Sequence, residues 1–278
     1  MSQRRISSVP LLAQLCLLAC LKSWAGDGLP AEAAAHGYLN HDPPRWDLAR
    51  DAFTQAASAG SPTAMAHLGW IHEHGHGGAV SHPLAAHWYA KAYHAGARHL
   101  ALKLGWLYLG GDEAIRDRTV AESWFRHAIE AGDLPAHVAL ASVLVADAQG
   151  GIAPARVHEA RELLQTALAG ELLIASYFLA RIYLEGIGTQ SVDYAKALPY
   201  IRLGAEHGHP QMQGWLARMY ADGQGVAVDP LESAKWSLLA AAGGDPLGRQ
   251  LERRHRAALS TQMLAEAQRR ALAWAEQS

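Results

Sequence analysis

Cysteine is all but missing from this 278-residue chain: Cys16 and Cys20 are the only two, and both lie before residue 26. The body therefore has no disulfide and no thiol nucleophile, and packing alone must hold its fold. β-Branched enrichment is lacking as well, while Ala and Leu dominate a composition that is 50% apolar. That bias argues against strands and for an all-α fold with a sizeable core. Catalytic signatures are absent: there is no G-x-S-x-G elbow, no S-x-x-K, no P-loop and no G-x-G-x-x-G after a strand. Nor is there a surplus of positive charge. The formal net charge is −2, and without Arg4, Arg5 and Lys22 there remain 21 basic against 26 acidic residues. A nucleic-acid partner, which needs a basic face, is not expected. The one tight basic cluster, Arg253, Arg254 and Arg256, reads as the solvated side of a terminal helix.

No apolar run is long enough to cross a bilayer comfortably. The stretch Val9–Leu21 follows Arg4 and Arg5, and together they read as an export signal over residues 1–25. Two processing sites compete. Leu17-Leu18-Ala19-Cys20 resembles a lipobox, which would leave Cys20 acylated, whereas Ser23-Trp24-Ala25 fits cleavage before Gly26. The expected location is the periplasm, with membrane contact only through a lipid on Cys20.

What the chain does have is glycine, 26 residues of it, and it recurs. Aligning on a helix-terminating Gly gives Gly60, Gly96, Gly132, Gly170, Gly208 and Gly244, at intervals of 36, 36, 38, 38 and 36. Eight residues before each stand Ala52, Trp88, Trp124, Glu162, Tyr200 and Trp236, and the four aromatics are expected in the core. The first half of each unit pairs a large residue with a small one: Leu68-Gly69, Leu104-Gly105, Leu140-Ala141, Leu179-Ala180 and Leu216-Ala217. Four residues after each Leu come His72, Tyr108, Leu144, Tyr183 and Tyr220, on the same helix face. Each unit is thus helix A, a Gly-rich loop, helix B and a Gly stop, whose left-handed backbone suits the residue after a helix.

These residues resemble the Sel1-like, tetratricopeptide-related repeat family, with its pattern A-x-x-L-G-x-x-Y-x-x-G-x-G-V, then D-x-x-K-A and an aromatic before A-x-x-G. Leu216–Gly244 fits best, through Tyr220, Gly223, Gly225, Val226, Asp229, Ala234 and Trp236. Unit 133–170 fits worst, with Ser142, Leu144 and Ala146 at motif positions. The resemblance implies a right-handed α/α superhelical solenoid that binds a protein and is not an enzyme. Its units would be 61–96, 97–132, 133–170, 171–208 and 209–244. A lone helix B at 45–60 would precede them, capping helices over 245–278 would follow, and 26–44 would be a tether or a short helix.

One motif looks chemical. His72-Glu73-His74-Gly75-His76 satisfies H-E-x-x-H, which in zinc proteases needs an unbroken helix to aim two His at one metal. Here Gly75, Gly77 and Gly78 end the helix inside the motif, and His72 stands in the Tyr register. No catalytic residue, resident metal or cofactor is assigned. A structural or transport metal held by the His-rich loop 72–82 is a third-ranked alternative.

A second pattern points to a partner. If Leu and the aromatic four residues on face the core, the residue two after the Leu points about 200° away. That position reads Trp70, Trp106, Ser142, Arg181 and Arg218. Its helical neighbours add His67, His74, Lys103, Glu185, Trp215 and Asp222. In solenoids of this kind helix A lines the concave side, and Trp and Arg are enriched where proteins bind tightly. The expected role is a periplasmic adaptor or scaffold; the alternative is an immunity protein that neutralises a secreted antibacterial effector such as a phospholipase.

Overall fold

The computed structural model describes residues 30–188 and 191–277. Among these every regular element is helical: α1 Pro30–Leu39, α2 Trp46–Ser58, α3 Pro62–His74, α4 His82–His94, α5 Leu100–Gly110, α6 Arg118–Glu130 and α7 Leu134–Gln149. After a 3₁₀ turn at Pro154–Arg156 follow α8 Val157–Ala169, α9 Ile174–Glu185, α10 Tyr194–Glu206, α11 Pro210–Asp222, α12 Pro230–Ala242, α13 Pro246–Ala258 and α14 Thr261–Ala275. None of them is long and apolar enough to cross a membrane. The described residues form two compact units, divided between Ala136 and His137. The leader and Cys20 lie outside the described residues.

Within each unit the same local chemistry starts and stops the helices. Helix B opens on a side-chain oxygen that accepts a backbone N–H three residues on, from Ser81, Asp117, Asp193 and Asp229. The backbone N–H of each of these residues donates to the carbonyl of the Tyr-register residue of helix A. The four bonds run to His72, Tyr108, Tyr183 and Tyr220 at 2.8, 2.9, 2.9 and 3.0 Å. His72 makes the same tie as the three tyrosines, so its backbone role is theirs. Gly75 has φ 70° and caps α3, which ends at His74 and leaves His76 outside the helix.

At the end of helix B, Gly60, Gly96, Gly132, Gly208 and Gly244 are all left-handed, with φ between 79° and 113°. Gly170 breaks the series at φ −86°, and Glu171 takes the left-handed position at φ 65°. Leu172 N–H then bonds the Ala167 carbonyl, as Asp133 N–H bonds that of Ala128. Counting back eight from Glu171 puts Leu163, not Glu162, in the aromatic register, and counting forward eight reaches Leu179. The odd Glu of the sequence alignment is a one-residue slip.

Helix A and helix B approach closely where the small residues sit. A Cβ on Gly105 would lie 2.3 Å from the Phe125 ring, and one on Gly69 2.6 Å from Tyr89. In the first unit the core of Phe53, Leu68 and Ile71 also takes in Ala35 of α1. Residues 30–39 are therefore a packed helix and not a tether, and α1 with α2 makes a pair where the sequence had suggested a lone helix B. In the second unit the core joins Tyr183, Ile201, Met212, Leu216 and Trp236 to Leu251 of α13. Of the four repeat aromatics only Trp236 is buried, while Trp88, Trp124 and Tyr200 lie half-buried at the surface of the core.

Candidate functional site

α3 packs on both α2 and α4, and the surface it leaves open carries the stripe of Trp70 and His74. In the first unit that stripe is built of stacked rings. His76 lies between Trp46 and Trp70, with centroids 4.1 and 4.6 Å away, and Trp70 in turn stacks on His74 at 4.6 Å. The His76 loop is pinned against α2: Arg50 donates to the Gly77 carbonyl at 3.0 Å, and a Cβ on Gly77 would strike Trp46. Thus the loop braces the start of α2 against the end of α3, and Trp46 and His76 join a stripe that sequence spacing assigned here to His67, Trp70 and His74.

His67 is placed differently from expectation. It is 8% exposed, stacked on Phe53 at 4.5 Å and edge-on to His36 at 4.8 Å. It is a core residue and does not reach a partner, because one turn before Trp70 the helix has already rotated its side chain beneath α1. Burial, helped by His36, pushes its pKa down to about 3, so the ring is neutral.

Lys103 and Trp106 are half-buried. Lys103 Nζ donates to Glu73 at 2.7 Å, and Tyr89 Oη donates to the other oxygen of the same carboxylate at 2.8 Å. Glu73, the carboxylate of the H-E-x-x-H string, is thereby a joint linking α3, α4 and α5. Trp106 packs edge-on to Phe125 with centroids 5.2 Å apart. His82, the last imidazole of the loop, is bonded to Asp112. Among the described residues no three His, Cys, Asp or Glu side chains gather as metal ligands. His74 and His76 are both turned face-on to Trp70, so these two imidazoles of the loop are used in stacking.

The second unit uses charge at the same register. Arg181 donates to Glu185 at 2.8 Å and to Gln149 at 3.2 Å, and Gln149 donates in turn to Glu185 at 3.0 Å. The Glu185 carboxylate raises the Arg181 pKa further. Gln149 is seven residues after Ser142 and joins the stripe because α7, with no Gly at residue 146, runs 16 residues. Trp215 is stacked on Tyr177 at 5.4 Å, which also stacks on His209 at 5.4 Å. Arg218 pairs with Asp222 at 3.6 Å, and Arg254 of α13 reaches the same carboxylate at 3.5 Å. Tyr177, one turn before Arg181, was not singled out from the sequence although periodicity marks it, and Arg254 was read there only as part of a solvated basic cluster.

A buried Ser–His pair occurs near the C-terminus. His255 Nε2 lies 2.9 Å from Ser233 Oγ, which donates to the Ala217 carbonyl at 2.7 Å. The hydroxyl proton is thus committed to a carbonyl and the imidazole must donate. That is the reverse of a nucleophile with its base.

The Sel1 repeat model matches residues 62–96, 100–133, 173–209 and 210–245. The unmatched stretch between the second and third matches holds the long α7 and the shifted stop at Glu171. Among solved structures the chain is similar to c5321, a protective antigen present in uropathogenic Escherichia coli strains and displaying an SLR fold. Identity is 25%, 95% of this chain is covered and the TM-score is 0.67, while the chain spans 56% of that protein's length. A Sel1 repeat protein from Oxalobacter formigenes is 21% identical with TM-score 0.61, covering 79% of this chain and 88% of that one. No curated protein sequence matches. The helix pairs are those of the α/α solenoid class.

Proposed function

Because this chain belongs to the Sel1 repeat family, whose repeats form protein–protein interaction modules, we propose that it is an exported, non-catalytic adaptor whose protein partner lies along the helix-A stripe. One observation carries the reading. Scaffold positions repeat from unit to unit, down to the Tyr-register hydrogen bond, whereas the stripe changes from Trp and His to Arg, Glu and Asp. Side chains free of the scaffold's demands are the ones selection can shape for a partner. Export rests on the Arg4, Arg5 and Val9–Leu21 leader, with Cys20 as the acylated residue if the lipobox is used.

Trp70 and Trp106 pack within the scaffold, so their removal would test folding as much as binding. Exposed Glu185 and Arg218 are cleaner probes. In affinity capture from a periplasmic extract of the native host, a partner retained by the wild-type chain is expected to be lost by a Glu185→Lys, Arg218→Glu double variant of unchanged circular dichroism. A partner held equally by both removes the stripe from the interface. Whether that partner is an envelope component or a toxic effector decides between scaffold and immunity protein. Mass spectrometry of the mature N-terminus tests export: an intact Met1 in the cytosol overturns it.

A further inference from the structure

The arginines of the C-terminal helices have a use beyond solvation. Residues 245–278 carry six Arg against four carboxylates, while residues 30–244 carry 15 basic and 21 acidic side chains. Positive charge is therefore concentrated at one end of the sequence. On α13, Arg249, Arg253 and Arg256 stand at i, i+4 and i+7 and share one face. All three are exposed. Arg256 pairs with Glu252, but among the described residues Arg249 and Arg253 have no ion-pair partner.

Arg256, at the end of that face, lines a cavity of about 240 Å³ where α13 and α14 both pack on α12, and Arg253 and Arg249 follow it one and two turns back along α13. Ala234, Leu238 and Leu264 supply an apolar floor, and Ser237, His255, Gln268 and Glu252, its carboxylate paired with Arg256, a polar wall. Drug-sized ligands occupy about 300–1,000 Å³, so the space suits a single side chain. His255 is held in place by its bond to Ser233 at 2.9 Å.

We propose that this cleft docks an acidic, extended protein segment, one large aliphatic side chain entering the cavity and flanking carboxylates pairing with Arg249 and Arg253. Charge complementarity selects the acidic partner, and the one-side-chain cavity favours a peptide over an anionic membrane, which would need a broad apolar face. The surface is distinct from the helix-A stripe, so the two readings stand or fall separately.

The test uses fluorescence anisotropy with the full mature chain and a labelled acidic heptapeptide bearing a central leucine. Binding that weakens at least tenfold in Arg249→Ala, Arg253→Ala supports the proposal, as does a similar loss in Gln268→Trp, which fills the cavity from an exposed position. A leucine-to-alanine peptide should also bind at least fivefold more weakly, and raised salt should weaken all binding. A lysine-based peptide binding as well as the acidic one overturns the proposal. So does acidic-peptide binding unchanged in both variants, or no binding at millimolar peptide. Arginine-dependent recruitment to phosphatidylglycerol vesicles without peptide binding would reassign the face to membranes and overturn it too.

Discussion

The two compact units share a scaffold and differ in what holds their exposed stripe together. In the first, aromatic rings do it: Trp46, His76, Trp70 and His74 form one stack, and His36, His67 and Phe53 a second beneath it. In the second, ion pairs share the task with rings: Arg181 with Glu185 and Gln149, and Arg218 and Arg254 with Asp222, beside the stack of Trp215 on Tyr177. A repeat fold constrains the residues between its helices far more than those along the stripe, so either chemistry can serve. The energetic consequences are unequal. Stacked rings bury apolar area, whereas exposed ion pairs are worth about 0–1 kcal/mol.

The sharpest way to break the comparison is to truncate one member of each set. Trp70→Ala removes a half-buried indole that touches three other rings and should destabilise the first unit by about 2–4 kcal/mol. Arg181→Ala should cost the second unit about 1 kcal/mol or less. Hydrogen exchange followed peptide by peptide gives each unit its own opening free energy. Equal losses in the two variants would show that the ring stack contributes no more than the ion pairs.

Next in size is a dependence on pH. His67 holds a pKa of about 3 in the folded chain because burial disfavours its charged form, against about 6.5 when unfolded. Between those values the unfolded state binds the extra proton. Stability is therefore full above about pH 6.5 and falls as pH drops toward 3, by up to about 1.4 kcal/mol per pH unit. Burial also lowers the pKa of His72 and His76 in the first unit and of His209 and His255 in the second. Urea midpoints at pH 7, 5.5 and 4.5 should decline, and His67→Leu should remove a large part of that decline while leaving the rest. A slope unchanged by the substitution would place the acid sensitivity elsewhere.

Most of the scaffold was legible because it recurs: the A–B pairing, the Gly stops and the end of α3 at Gly75 follow from spacing and from the chemistry of caps. The stripe was legible as a face but not as contacts. Trp70 and His74 were marked by periodicity, while Trp46 and His76 meet them only because a loop folds back onto α2, and loop geometry has no period. His67 was misplaced for a related reason. The three-residue step from Trp70 follows the stripe only as far as the helix stays exposed, and α1, which the sequence left open as a tether or a short helix, covers it. The slip at Gly170 came from treating any Gly in the right neighbourhood as the stop.

That slip supplies the smallest and cleanest contrast between the units. Gly60, Gly96 and Gly132 hold the left-handed stops of the first, while the second has Gly208, Gly244 and, in the middle, Glu171 at φ 65°. An L-residue there brings Cβ toward the following carbonyl oxygen, at about 1–2 kcal/mol. Glycine avoids the clash but loses more entropy on folding, so Glu171→Gly should stabilise the second unit by a net of roughly 0.5–1 kcal/mol. The mirror change, Gly96→Ala in the first unit, meets no neighbour within 4 Å at its Cβ, so its cost is backbone strain alone and should be about 1 kcal/mol. Differential scanning calorimetry of both variants reads the two signs directly. A lower melting temperature for Glu171→Gly would mean that Gly170, not Glu171, is the stop in solution, and that the register of the middle repeat is the one its glycine spacing implies.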